Sequence, residues 1–418
     1  MKISIYSAIV GSMALFAFTT LTQTLWPFAI NQMLGFCIFA ELLYLGLKTL
    51  KKNECVIVFI VIFCFFISFL LTGNFRQNLT DSTCWVVTCI LFIKLADQRT
   101  VAKLKYAVFQ QRRLIKWMVI LSSIVILIGF FLPQCYYGAD GWGKREYYLG
   151  FSVFPHVFCS GACLVLVLTL FLLEGRQNKW WHFMALLPGS LGIMESGART
   201  YIVSIALVFG VYFLFYVKNS IIKWLGFPII CTVGIISFLN SSMKEKFVFL
   251  QENIYIPGGS VLGRLSSGRN VFWAIDWQAF QEYSLLNKLL GNGFDYVYEI
   301  NELEYGARIL AHNDLINLML SVGIIGTGAY CVIFLKLFTK RTQPATARIT
   351  KAIIVIFLFF PALVNGLFIY QHYVYSGVFL YLLLAPGKSL IPQRHSKYPN
   401  PNVFSLKKVL STKIMDHS

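Results

Sequence analysis

The feature that most constrains this chain is a series of repeated apolar blocks, about 18 to 24 residues long, the length an α-helix needs to cross hydrocarbon. They lie at about 3–22, 27–47, 55–73, 84–96, 117–134, 150–173, 182–194, 200–217, 224–239, 314–337, 352–368 and 374–386. The blocks are continuously apolar rather than alternating, which argues against the strands of a membrane barrel. In lipid every backbone polar group must be satisfied internally, so the expected fold class is an all-α polytopic membrane protein with about 12 transmembrane helices. Composition agrees. Of 418 residues, 57% are hydrophobic and 13% charged, and the mean hydropathy is +0.67. A soluble domain carries roughly a quarter charged residues.

The net charge of +18 raises nucleic-acid binding as a function, so its distribution decides. With the N-terminus inside, cytoplasmic segments and helix ends hold 26 of the 36 Lys and Arg residues, densest at 48–52, 94–116, 336–351 and 388–413. The outward side keeps only Arg76, Lys144, Arg145, Arg199, Lys244, Lys246, Arg264, Arg269, Lys288 and Arg308. That asymmetry is the positive-inside rule, and the opposite orientation would invert it. The basic charge is therefore topological, and without a groove-reading motif no nucleic-acid partner is expected. Both termini are expected in the cytoplasm, with a transmembrane bundle over 1–386 and a cytoplasmic tail over 387–418. The first block lacks a small-residue cleavage site and reads as an uncleaved span. The 10 cysteines are scattered, mostly within blocks, with no metal-ligand spacing, and read as buried structural thiols.

Two outward segments exceed what a connector needs. One is the aromatic, turn-rich stretch at about 135–149, and the other is the large loop at about 240–313. Length of that kind marks function. Within the large loop, Asn270 to Leu290 has Trp273, Trp277 and Phe280 at helical spacing and reads as an amphipathic helix at the membrane interface, stopping at Gly291-Asn292-Gly293. An acidic patch follows: Asp295, Glu299, Glu302 and Glu304.

Three outward features carry chemistry-bearing residues. Arg199 sits in Glu195-Ser196-Gly197-Ala198-Arg199-Thr200, between two short blocks. An Arg in a tight turn there calls for an anionic partner. The plain alternative is an ion pair with Glu195 or a snorkelling stop residue. Gly263-Arg264-Leu265-Ser266-Ser267-Gly268-Arg269 opens the loop helix with two forked donors suited to phosphate oxygens, or with solvated loop arginines. Ala311-His312-Asn313-Asp314 places a His at the mouth of a span, where it titrates near neutral pH, with Asn313 or Asp314 available to fix its tautomer. A boundary His with Asp314 as a helix N-cap is the plain alternative.

Their order resembles one family. An Arg in a small-residue turn, Gly268-Arg269 followed by Trp273, Gly291-x-Gly293-Phe294, His312-Asn313 and Gly323-x-x-Gly326 together resemble the O-antigen ligase and polymerase superfamily, whose members are Wzy-like and WaaL-like. The resemblance covers about residues 180 to 340. The Arg199 turn reads Gly-Ala-Arg-Thr, where relatives often show Gly-Ser-Arg or Thr-x-x-Arg.

The resemblance implies a GT-C-like, inverting glycosyltransferase of the bacterial inner membrane, with its active site at the periplasmic face and no metal or other cofactor. Its donor would be an undecaprenyl-diphosphate-linked oligosaccharide. Its partners would be a glycan acceptor (a lipid-linked repeat unit or lipid A-core), membrane lipids and a chain-length regulator. Carried over by position, Arg199 and Arg269, with Arg264 as the other candidate, would hold the diphosphate. His312 would be the general base, supported by Asn313 and Asp314. A departing diphosphate accumulates charge, so fixed guanidiniums stabilise the transition state more than the ground state.

The leading expectation is a Wzy-like polymerase of surface polysaccharide, with a WaaL-like ligase as the alternative from the same donor chemistry. The rival from another class is a transporter or flippase of the lipid-linked unit. Transporters place ionisable groups near the bilayer midplane and carry paired repeats with broken helices. Here no repeat is visible, and Glu41 lies in the cytoplasmic half of its block. Selectivity for the sugar is expected in the two loops, where Tyr136, Tyr137, Trp142, Tyr147, Tyr148, Tyr255, Tyr296 and Tyr298 offer stacking faces or an interfacial aromatic belt.

Overall fold

A computed structural model describes residues 4–26, 30–138, 146–173, 184–217, 219–244, 269–306, 308–339 and 345–385. Arg264, Trp142, Tyr255 and the tail at 387–418 lie outside the described residues. The apolar blocks fold as helices: α1 (Ile5–Leu21), α2 (Ile30–Lys48), α3 (Lys52–Leu71), α4 (Phe75–Leu95), α5 (Gln98–Gln110), α6 (Arg112–Gly129) and α7 (Pro155–Leu173). After these come α8 (Leu187–Glu195), α9 (Thr200–Val211, running into a π-turn at Tyr212–Tyr216) and α10 (Ser220–Asn240). The loop elements are α11 (Arg269–Glu282), α12 (Leu285–Leu290) and α13 (Tyr296–Tyr305), and the chain closes with α14 (Asp314–Thr339), α15 (Ala345–Val364) and α16 (Gln371–Leu384). A short antiparallel hairpin, β1 (Tyr136–Gly138) with β2 (Glu146–Tyr148), pairs Tyr136 with Tyr148.

Among the described residues, six helices are long and apolar enough to cross a membrane: α2, α3, α4, α7, α10 and α14, with shorter apolar helices at Ile5–Leu21 and Thr200–Tyr216. Only helices satisfy their own backbone so completely, and the chain is an all-α membrane protein. Its centre is α7, buried from Phe158 to Leu173, against which α16, α1, α8 and α6 pack. The flanks of α2, α3 and α10 leave large apolar side chains such as Phe59, Phe66 and Trp224 uncovered, as lipid-facing surface requires. Five thiols are buried, while Cys37, Cys55 and Cys231 lie on these exposed flanks, so the buried reading of cysteine holds for the bundle core alone.

Several element boundaries differ from those the apolar blocks predict. α4 begins at Phe75, ahead of the apolar block, because Asn78 and Asp81 are polar yet buried with partners from the distant loop. The Asn78 Oδ1 accepts from Phe294 N (2.9 Å), and the Asp81 Oδ2 accepts from Tyr298 OH (2.9 Å). α5, in the basic stretch, is a separate helix capped by Asp97, whose Oδ2 accepts from Thr100 N (3.0 Å); it turns Val101, Leu104, Ala107 and Val108 inward. α15 stops at Val364, so the last residues of the block at 352–368 form a loop.

The single helix expected at 270–290 is two. It breaks at Tyr283, and Ser284 caps α12 by accepting from Asn287 N (3.2 Å). Its aromatic face serves a small core rather than the interface. Phe280 is buried with Tyr283, Val297, Ile300 and Leu320, and Trp273 Nε1 donates to Ala311 O (2.7 Å). Trp277 and Leu285 remain exposed. The acidic patch is helix α13 with divided roles. Asp295 is buried and accepts from Gly73 N (3.1 Å), Asn74 N (2.6 Å) and the Thr72 hydroxyl, tying the loop to the α3–α4 turn, while Glu302 pairs with Arg308 (2.8 Å).

The motif glycines have a backbone role. α14 is interrupted at Gly323 (φ +64°), and Asn292 N and Gly293 N donate to Leu320 O (2.8 Å) and Ser321 O (3.0 Å) of the helix. A Cβ at Gly291 would lie 2.3 Å from the Ser321 carbonyl carbon, and one at Gly323 would lie 2.3 Å from Leu289 O. Backbone meets backbone there, and only glycine permits it.

Candidate functional site

The residues singled out in the sequence sit at helix ends. Arg199 directly precedes α9, Arg269 opens α11, and His312 lies two residues before α14. The loop after α15 joins two of them. Asn365 Oδ1 accepts from Arg269 Nη2 (3.1 Å), and its backbone oxygen faces His312 Nδ1 at 3.4 Å. Val364 O accepts from Arg269 Nη1. Arg199 joins through charge: burial holds its pKa down at about 10, and the positive field of Arg269 pushes in the same direction. Three side chains spread over a span of 113 positions thus share one neighbourhood.

The electrostatics are unusual for an ordinary ion-pair network. Among the described residues the ion pairs are Lys51–Asp97, Lys94–Glu54 and Arg308–Glu302, and none involves Arg269. Burial lowers the Arg269 pKa, and only the phenols of Tyr370 and Tyr201 oppose that. Both of its hydrogen-bond partners, Val364 O and Asn365 Oδ1, are neutral oxygens. Glu195, the carboxylate nearest in sequence to Arg199, accepts instead from Ser242 N (3.3 Å) and Ser242 Oγ (2.9 Å), fastening α8 to the end of α10. Burying the Arg269 guanidinium against neutral oxygens costs free energy that an anion would return.

His312 has the one positive φ outside glycine among the described residues, +54°. Left-handed backbone at a non-glycine residue is uncommon and concentrates at functional sites. Burial and the Arg269 charge hold the His312 pKa down at about 3, so the imidazole is neutral across the physiological range. Neither neighbour fixes its tautomer. Asn313 Oδ1 accepts from Leu315 N (3.0 Å) and Ile316 N (3.3 Å), making Asn313, not Asp314, the helix cap. Asp314 accepts from Leu367 N (2.7 Å) and Tyr330 OH (3.0 Å), which pins the 365–370 loop against α14.

Three further residues, His156, Tyr201 and Tyr370, border this cluster. The His156 ring, at the start of α7, lies 6.4 Å from His312 and 6.0 Å from both Tyr201 and Tyr370, centroid to centroid. Tyr201 OH donates to His156 O (3.2 Å) and accepts from Asn365 Nδ2 (3.4 Å). Burial moves the Tyr370 pKa up to about 12 against the pull of Arg269. Sequence reasoning missed Asn365, Tyr201, His156 and Tyr370; for Asn365 the visible signal was a polar Asn-Gly pair near the end of the apolar block at 352–368. Of the aromatic residues suggested for sugar stacking, Tyr148 is structural: its ring stacks on Phe130 at 4.5 Å and its OH donates to Ile126 O (2.8 Å). Tyr298 is engaged with Asp81.

The class defined by these features is an all-α membrane protein with a largely buried cluster of two arginines and an imidazole at helix ends. No family model matches the chain, and no solved structure matches it. Short similarities exist to Transmembrane 9 superfamily member 1 of Mus musculus, 35% identical over 82 residues, and of Bos taurus, 36% over 83. The matched stretch is 17% of this chain, which spans only 14% of the length of those relatives. Their names and the helices described agree on a membrane-spanning chain.

Proposed function

We propose that the chamber binds the diphosphate of a lipid-linked glycan and catalyses glycosyl transfer at the outer face of a bacterial inner membrane, extending a surface polysaccharide. The observation that carries this reading is the meeting of Arg269 and His312 at Asn365, with Arg269 held by neutral oxygens and Arg199 lying within its electrostatic field. In the reaction the acceptor hydroxyl oxygen bonds to the donor's anomeric carbon as the bond from that carbon to diphosphate breaks. The electron pair leaves on lipid diphosphate, and the hydroxyl proton passes to His312. With Nδ1–H directed at Asn365 O, Nε2 carries the lone pair that takes this proton. A bound diphosphate offsets the Arg269 field that depresses the imidazole, raising its basicity when donor is present. The twelve apolar blocks as spans, with both termini cytoplasmic and the 240–313 loop outside, belong to the same proposal.

One observation bears on the transporter reading: α14 is broken at Gly323, as transporter helices often are. The break is filled by the backbone of Leu289 to Gly293 rather than left open to a polar cavity, so it serves packing.

The test is His312→Ala, with surface glycans resolved by size. A base contributes about 10²–10⁴-fold, so elongation should collapse while the protein still folds. A polymerase defect leaves core capped with a single repeat. Bare core, with chains retained on undecaprenyl diphosphate, would assign the ligase reaction instead. Unchanged glycans would remove His312 from catalysis altogether.

A further inference from the structure

The residue that organises the chamber is an amide where a carboxylate would be the ordinary partner of a buried arginine. Asn365 is fully buried and uses all of its polar groups. Oδ1 holds Arg269, Nδ2 reaches Tyr201 OH, and the backbone oxygen faces His312. Asn313 Nδ2 donates to Leu363 O (3.0 Å) before Asn365 and Asp314 accepts from Leu367 N (2.7 Å) after it, so the loop is pinned on both sides of the amide. An aspartate would occupy the same volume and accept the same hydrogen bond more strongly, since charge-assisted bonds are about twice as strong as neutral ones. It would also cancel the charge of Arg269.

We infer that Asn365 is a positioning residue that aims Arg269 while leaving its charge unspent for an anionic group of the substrate, the diphosphate of the reading above, on which this inference rests. The amide orients the guanidinium through one oxygen and Val364 O fixes a second nitrogen, so the group is held in place while further donors and the full charge are left for an anion. The same loop places its backbone oxygen against His312. One residue therefore sets the relative position of the cation and the base, and its neutrality is the property that matters for binding.

Two substitutions separate this role from packing. In the purified full-length protein, inorganic pyrophosphate binding is measured by calorimetry, alongside thermal unfolding, for wild type, Asn365→Ala and Asn365→Asp. Asn365→Ala leaves the charge but frees the guanidinium, and a modest loss of affinity is expected. Asn365→Asp keeps the hydrogen bond and neutralises Arg269, so affinity should fall about tenfold or more while the melting temperature stays equal or rises. A packing role reverses that order, because the isosteric Asp would be tolerated better than Ala. Binding by Asn365→Asp equal to wild type, or its failure to fold, overturns the inference and leaves the anion site standing. Absence of binding by wild type overturns the anion site and this inference together.

Discussion

His312 shows how a single residue joins backbone strain to chemistry. Its φ of +54° is tolerated by Asn as well as His, so His312→Asn should melt no lower than wild type while losing turnover. The imidazole also sets a pH dependence. Its pKa is about 3 in the folded chain against 6.5 for an unperturbed ring, so between those values the unfolded state binds a proton that the folded state refuses. The stability in question is complete above about pH 6.5 and lost as pH falls toward 3. Melting curves at pH 7.5 and 5 should therefore show His312→Asn gaining on wild type at the lower pH, and a constant gap would contradict the burial of a neutral ring. Asp276 runs the other way. Burial among loop residues raises its pKa to about 7, with Asn301 Nδ2 donating to it at 3.3 Å. The folded state keeps this proton where the unfolded chain has released it, so stability is complete below about pH 4 and lost as pH rises to about 7. Asp276→Asn should raise the melting temperature at pH 8 and leave it unchanged at pH 4.

At the scale of elements, the sequence motifs turn out to be of two kinds. Gly291-x-Gly293 and Gly323 form an interlock in which the loop backbone fills the break in α14. Gly291→Ala and Gly323→Ala each place a methyl group on backbone atoms at positive φ, a strain of about 1–3 kcal/mol before the clash itself. Either should sharply reduce the yield of folded, detergent-extracted protein; wild-type yield and melting would show that the interlock is dispensable. The charged motifs instead bring Arg199, Arg269 and His312 into one neighbourhood. Arg199, Arg269 and His312 were legible because each stands out against an apolar or small-residue background. Asn365 was not, because an apolar window of the length used to find spans absorbs one polar residue, and the block at 352–368 ran through it. Asn78 and Asp81 were lost for the opposite reason. Polar side chains at the end of a span read as loop until the partners Phe294 and Tyr298, more than two hundred positions away, are seen. Partner choice of that range has no local signature.

For the whole molecule, hydrophobic length and charge asymmetry were enough to read an all-α membrane protein, and the helices agree. Sidedness adds a further expectation. With Cys37, Cys55 and Cys231 replaced by Ser, a cysteine at the exposed Glu304 should react with a membrane-impermeant maleimide from outside, and one at the exposed Lys103 should not. Inverted labelling would place the chamber on the cytoplasmic side, away from any periplasmic donor. The chamber itself draws on α7, α9, α11, α14 and the loop after α15, so its existence depends on the whole bundle closing correctly. The decisive experiment is to incubate purified protein with a synthetic undecaprenyl-diphosphate oligosaccharide and chromatograph the products. Wild type should release undecaprenyl diphosphate and lengthen the glycan, with Arg269→Ala and His312→Ala each slower by about a hundredfold or more. Donor left intact by wild type, or consumed equally by both variants, would contradict a transferase site built from these residues.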